Sequence, residues 1–191
     1  MIDNFNKVKE IFKLNDMNDE FHTCVVWIRK KDLDKTPDAG IISNNMQVRT
    51  FFISNENKLD KYEKIIKFMC DRLARAYFSS CSHSYEKASL KMIGDLGRII
   101  MDLNYPIRLV ESSIMTSKVI NKNWIIDIDE KDDNIVNDFK NLLDKIQILP
   151  TVQYHIVTKP FDRCHVAQAL NSYDKLPDIH KDNYCLLYCN L

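Results

Sequence analysis

Residues 122–130 read Lys122-Asn-Trp-Ile-Ile-Asp-Ile-Asp-Glu130. Trp124, Ile125, Ile126 and Ile128 are aromatic or β-branched, which favours a buried strand. Asp127 and Asp129 interrupt the run near its end. Side chains alternate faces along a strand, so the two acids point the same way, with Cα atoms roughly 6.5–7 Å apart. Such a spacing suits two carboxylates sharing one or two divalent cations. Trp124, Ile126 and Ile128 then face a core. Two solvated acids on the wet face of an edge strand carry the same pattern, so the pair needs partners before it means chemistry.

Outward from that strand, helix and strand signals alternate. Residues 131–146 carry Ile135, Val136, Phe139, Leu142 and Leu143 at helical spacing. Residues 148–150 and 154–158 read as a strand pair, 162–171 as a short helix, 176–183 as a loop with Pro177, and 184–191 as a last strand. On the other side, 104–121 is irregular and forms a crossover. Residues 85–103 predict an amphipathic helix with Leu90, Ile93, Leu96, Ile99 and Ile100 inward. Residues 58–75 predict another helix, followed by a short strand at 76–79 and a polar turn at 80–84. Residues 21–29 and 48–54 predict two strands of a hairpin joined by a charged loop over 30–45. Residues 3–14 predict a first helix, with Asp3 as its N-cap. The mixture places the chain in the α+β class. A length of 191 residues fits one domain, with 1–104 and 122–191 as two lobes if the crossover divides it.

Lys+Arg and Asp+Glu number 27 each, so a general polycationic mode of nucleic-acid binding is excluded while a local basic groove is not. Only Gly40, Gly94 and Gly97 occur, too few for a Gly-rich phosphate loop. No apolar run reaches membrane-spanning length, and the polar N-terminus has no apolar signal core. The expectation is a cytoplasmic protein with reduced thiols and no membrane partner.

Three further stretches can supply partners for the acids. In 153–161 (Gln153-Tyr-His-Ile-Val-Thr-Lys-Pro-Phe161), His155 can hydrogen-bond a phosphate oxygen and Lys159 can neutralise one, with Thr158 between them. A histidine satisfied within the fold and a surface lysine are the plainer reading. Arg75 stands where a helix passes into a strand and suits bidentate phosphate recognition, or equally a salt bridge to an acid, with Asp127 or Asp129 as candidates. The six cysteines (24, 70, 81, 164, 185 and 189) match no zinc-ligand spacing and read as buried free thiols.

The ordered set of an acid-x-acid strand, a helix, and a strand with His155 followed by hydroxyl and basic residues resembles the archaeo-eukaryotic primase superfamily (the primase-polymerases). Other stretches resemble a primase-like family of phage and bacterial genomes. They are Trp27-Ile-Arg-Lys-Lys-Asp32, Ala74-Arg-Ala-Tyr77, Trp124-Ile-Ile-Asp-Ile-Asp129, Tyr154-His-Ile-Val-Thr-Lys-Pro-Phe161, Ile179-His-Lys-Asp-Asn183 and Leu186-Leu-Tyr188. The resemblance implies an RRM-like core, a mixed or antiparallel sheet flanked by helices. It implies Mg²⁺ or Mn²⁺ on Asp127 and Asp129, and His155 on the phosphates of an incoming nucleoside triphosphate. Arg75, Thr158 and Lys159 would steady those phosphates. A DNA or RNA template or primer would lie along Lys30, Lys31 and Arg49. The setting implied is DNA replication in a bacterial or phage-infected cell, with replication or host proteins as further partners. Three departures stand at the implied site: Asn190 where a third acid is expected, with Asp182 the nearest alternative before the strand; Gln153 in place of a glycine; and Cys81 with His83-Ser84 in place of an Asn and an Arg-Ser pair. The sequence therefore supports a metal-dependent nucleotidyltransferase, active or degenerate. A non-catalytic binder of nucleotide, nucleic acid or protein on the same scaffold is the alternative. A metal-dependent nuclease or phosphodiesterase using the same acids is a further one.

Overall fold

The structure, a computed structural model, describes residues 1–14, 19–33, 46–71, 73–101, 112–117, 119–128, 133–151, 154–171, 173, 176–181 and 184–190, with the backbone alone at Lys31, Leu33 and Ile99. The chain runs β1 (Ile2–Asp3), α1 (Phe5–Phe12), β2 (Glu20–Ile28), α2 (Lys30–Leu33), β3 (Met46–Ile53), α3 (Glu56–Cys70), β4 (Ala74–Ser79), β5 (His83–Ser84), α4 (Tyr85–Met101), β6 (Trp124–Ile128), α5 (Asp133–Leu142), β7 (Gln147–Pro150), β8 (Tyr154–Thr158), α6 (Arg163–Ala169), β9 (Asp178–Lys181) and β10 (Tyr184–Cys189). The fold is α+β, with two antiparallel sheets flanked by helices.

The first sheet has the order β1-β10-β4-β2-β3, with β5 paired to β2. Its inner strand β2 is rich in β-branched and aromatic residues and is buried along Phe21–Val26. Cys24, Val26, Phe51, Ile53, Ala74, Ala76 and Phe78 join α1 (Phe5, Val8, Phe12) and α3 (Leu59, Ile66, Cys70) in one core. α3 starts where Asn55 accepts the Lys58 N–H at 2.9 Å, an N-cap bond that satisfies one otherwise orphaned donor. On the opposite face of the sheet Phe21 packs with Ala88 of α4 and Ile114 of a helical turn over 112–115.

The second sheet has the order β7-β8-β6-β9. Ile126, Ile128 and Ile156 pack against Ile135, Val136 and Phe139 of α5 and Val166 of α6. The alternate residues Ile125, Val157 and Leu149 join the core of the first sheet. Fully burying one such isoleucine stabilises the fold by about 1.5–3 kcal/mol. Asn4 ties the sheets together as well, donating to the carbonyls of Pro150 (2.8 Å) and Leu186 (2.9 Å).

Four expectations change. The 176–183 loop contains an edge strand, β9, whose Asp178-Ile-His-Lys181 has too little apolar content to announce itself. The C-terminal strand returns to the first sheet between β1 and β4, so the segments on either side of the crossover do not each own a sheet. In α4 the residues expected inward point out: Leu90, Ile93, Leu96 and Ile100 are exposed, and Ile99 falls where only the backbone is described. α1 begins after Asn4 rather than Asp3, although the Asp3 carboxylate does accept the Phe5 N–H at 3.3 Å. Among the described residues no helix is long and apolar enough to cross a membrane.

Candidate functional site

The strand β6 lies between β8 and β9, and the register decides what surrounds Asp127. Its direct partner on β8 is His155, and its direct partner on β9 is Asp178. Directly paired residues share a face, so His155, Asp127 and Asp178 form a row across three strands. His180 pairs with Ile125 and lies on that same face. Alternation sets this face toward the first sheet and the other toward α5 and α6.

His155 Nε2 lies 3.3 Å from Asp127 Oδ1, with His155 mostly buried and Asp127 more open. On the other side of the ring, the backbone N–H of Leu186 donates to Nδ1 at 3.4 Å. A ring nitrogen that accepts carries no proton, so Nε2 carries it and donates to Asp127. The site thus fixes the imidazole by a strand edge of the first sheet and a carboxylate of the second. That hydrogen bond is the largest influence holding the Asp127 carboxyl below its ordinary range; partial burial opposes it, and His155, His180 and Arg29 add smaller attractions. Asp127 stays ionised, with Oδ2 left for another cation or donor.

The first sheet carries an aromatic cluster on the face that bears Phe21. Trp27, Tyr77 and Tyr184 come from three adjacent strands; the Trp27 ring centroid is 5.4 Å from each tyrosine ring. Arg29, just past β2, donates from Nη1 to the Tyr77 hydroxyl at 3.4 Å. Arg75 is held bidentately by Asp32, Nε to Oδ2 at 2.8 Å and Nη2 to Oδ1 at 2.5 Å. Asp32 is 2% exposed, so this is an interior fork-to-fork pair. Met115 closes the far end of the face over Thr23 and Tyr184.

The residues singled out from sequence therefore divide. Asp127 and His155 are together. Arg75 lies on the same sheet face as Trp27, its guanidinium committed to Asp32. Thr158 is buried and Lys159 exposed, and both line a separate cavity described below. Arg49 pairs with Val26, on the opposite face from Trp27, its guanidinium 5.2 Å from the Phe51 ring centroid. Asn190 donates to Asp71 at 3.2 Å, and it is Leu186, four residues earlier, that touches His155. Asp129, Gln153 and Asp182 lie outside the described residues, as does the side chain of Lys31. Sequence reasoning missed Asp178, His180, Arg29, Asp32 and Tyr77 as site residues. Alternation would have found part of this set: Trp27 and Arg29 share one face, as do Arg75 and Tyr77. Among the described residues no group of three or more His, Cys, Asp or Glu side chains is placed to hold a metal ion. All six cysteines are free, five buried and Cys164 exposed. No known protein family, curated protein or solved structure matches this chain.

Proposed function

We propose that the chain is a primase-like nucleotidyltransferase domain acting on nucleoside triphosphates and nucleic acid through Asp127 and His155. One observation carries the reading: an acid-bearing strand and a histidine-bearing strand, distant in sequence, stand side by side with a 3.3 Å contact. His155 has its tautomer fixed by Leu186 and keeps Asp127 ionised. Asp127 and Asp129 would supply the carboxylates for Mg²⁺ or Mn²⁺. A divalent cation held there would supply charge neutralisation on the triphosphate and orientation of an attacking hydroxyl. Trp27 and Tyr77 offer aromatic faces for a base, and Arg29 a cation for phosphate. The test is metal-dependent incorporation of a labelled nucleotide onto a primer. Asp127→Asn abolishes incorporation while leaving the thermal midpoint close to wild type. Incorporation by Asp127→Asn at the wild-type rate refutes the mechanism.

A second reading, a non-catalytic nucleotide, nucleic-acid or protein binder on the same scaffold, is favoured by Asn190, which lacks a charge and is bonded to Asp71. Thermal stabilisation that requires both Mn²⁺ and a triphosphate supports the enzyme. Stabilisation by nucleotide without metal supports the binder.

A further inference from the structure

A cavity of about 460 Å³ lies where the end of α1 and the start of β2 meet β7 and β8. That volume is within the range of small-ligand pockets. Lys13, Lys145 and Lys159 line it, one each from the end of α1, the turn before β7 and the end of β8. None of the three is in an ion pair among the described residues. The one acid in the lining, Glu20, already accepts from Ser82 Oγ at 2.5 Å and from Asn121 Nδ2 at 2.8 Å. Three lysines against one glutamate leave the lining, among the described residues, with a formal excess of positive charge. Lys13 (φ 49°) and Lys145 (φ 55°) also sit on left-handed backbone, which costs a non-glycine residue about 1–2 kcal/mol. A glycine would relieve that strain, yet each position holds a cation. One wall is apolar (Ile11, Phe12, Val157), and amides of Asn121, Asn123 and Gln147 stand nearby.

We propose that this cavity is a second ligand site, independent of the Asp127 reading, that binds a nucleoside di- or triphosphate without a divalent cation. Lysines bind phosphate as mobile point charges and need no metal between. The apolar wall takes the base and the amides its polar edge. Along β8, Lys159 is four residues from His155, roughly 13 Å at strand rise. A phosphate held by Lys159 is therefore distinct from one at Asp127.

Isothermal titration in EDTA with ATP and with inorganic tripolyphosphate tests the proposal on the full chain. Both ligands bind wild type and compete with each other. The Lys13→Ala/Lys159→Ala variant loses at least tenfold in affinity for both, and raising salt weakens wild type more than the variant. Asp127→Asn binds as wild type does, which separates this site from the proposed active site. Should the double variant fail to fold by circular dichroism, Lys145→Gln and Lys159→Gln alone each lose severalfold. Undiminished binding by the lysine variants overturns the proposal, and so does absence of wild-type binding at millimolar ligand. Lysine-dependent binding of a single-stranded oligonucleotide that neither ATP nor tripolyphosphate displaces also overturns it, because the site is then a nucleic-acid groove.

Discussion

His22 should make the protein acid-labile in a window set by one ring. It is 3% exposed, stacked on Phe78 (centroids 4.9 Å) and against Phe12 (5.1 Å), with Nδ1 donating to the Ser79 carbonyl at 2.9 Å. Burial pushes its pKa down to about 4; the Ser79 bond opposes that shift and the nearby His83 reinforces it. The unfolded ring titrates near 6.5. Between these values the unfolded chain binds a proton that the folded one refuses, so stability is full above about pH 6.5 and is lost as pH falls toward about 4. Linkage gives a loss of about 2 kcal/mol at about pH 5 relative to about pH 7.5, rising to about 3 kcal/mol near pH 4. Urea unfolding at a series of pH values measures the slope. His22→Phe keeps the aromatic packing and removes the titration. It starts lower by about 1–3 kcal/mol, since Ser79 loses a buried donor, but its stability falls less across the window. Parallel wild-type and His22→Phe curves between about pH 7.5 and 4.5 would refute the assignment of this proton to His22.

Two further outcomes follow from burial. Asp32→Ala costs about 3–5 kcal/mol, because Arg75 keeps a largely buried charge with no partner. The Asp32→Leu/Arg75→Leu double variant loses less than the sum of its singles in urea unfolding, and additivity would show that the pair is not coupled. Ile93 of α4 is 67% exposed and Ile66 of α3 is fully buried. Ile93→Ser therefore shifts stability by at most about 0.5 kcal/mol, and Ile66→Ala by about 2–5 kcal/mol. Equal losses for the two would place α4 in the core after all.

Much of the local structure was legible. The alternation in 124–128 put Trp124, Ile126 and Ile128 on one core face and Asp127 on the other; Ile126 and Ile128 are in that core, and Trp124 is half-buried against Phe161. The β2–β3 hairpin and the β7–β8 pair were marked by β-branched runs around turns. α5 was marked by apolar residues three and four apart, of which Ile135, Val136 and Phe139 are buried. Other features hid for physical reasons. β9 is an edge strand with one half-buried isoleucine, and edge strands need little apolar content. α4 has a helical apolar stripe, but periodicity reports a stripe and not what covers it. From sequence Arg75 suits a phosphate or a salt bridge to an acid such as Asp127 or Asp129; the structure pairs it with a different acid. Its partner, Asp32, is 43 residues away, a distance at which only tertiary packing decides.

The placement of β8 sharpens what the Asp127 strand can do. Read as a linear motif, His155, Thr158 and Lys159 form one phosphate-binding unit. Folded, the strand turns His155 toward Asp127 and carries Thr158 and Lys159 to another cavity. Lys159 is thus remote from Asp127, and Arg75 is spoken for by Asp32. Among the described residues Arg29, which donates to the Tyr77 hydroxyl, is the arginine that attracts Asp127, less strongly than His155 and His180 do. If a triphosphate reacts at Asp127, its charge is met there by Arg29 and metal, and Arg29→Ala should weaken its binding where Lys159→Ala does not. The acid strand remains the centre of the candidate site: His155 reaches it from the neighbouring strand of the same sheet, and Leu186 of the other sheet holds that ring from its far side.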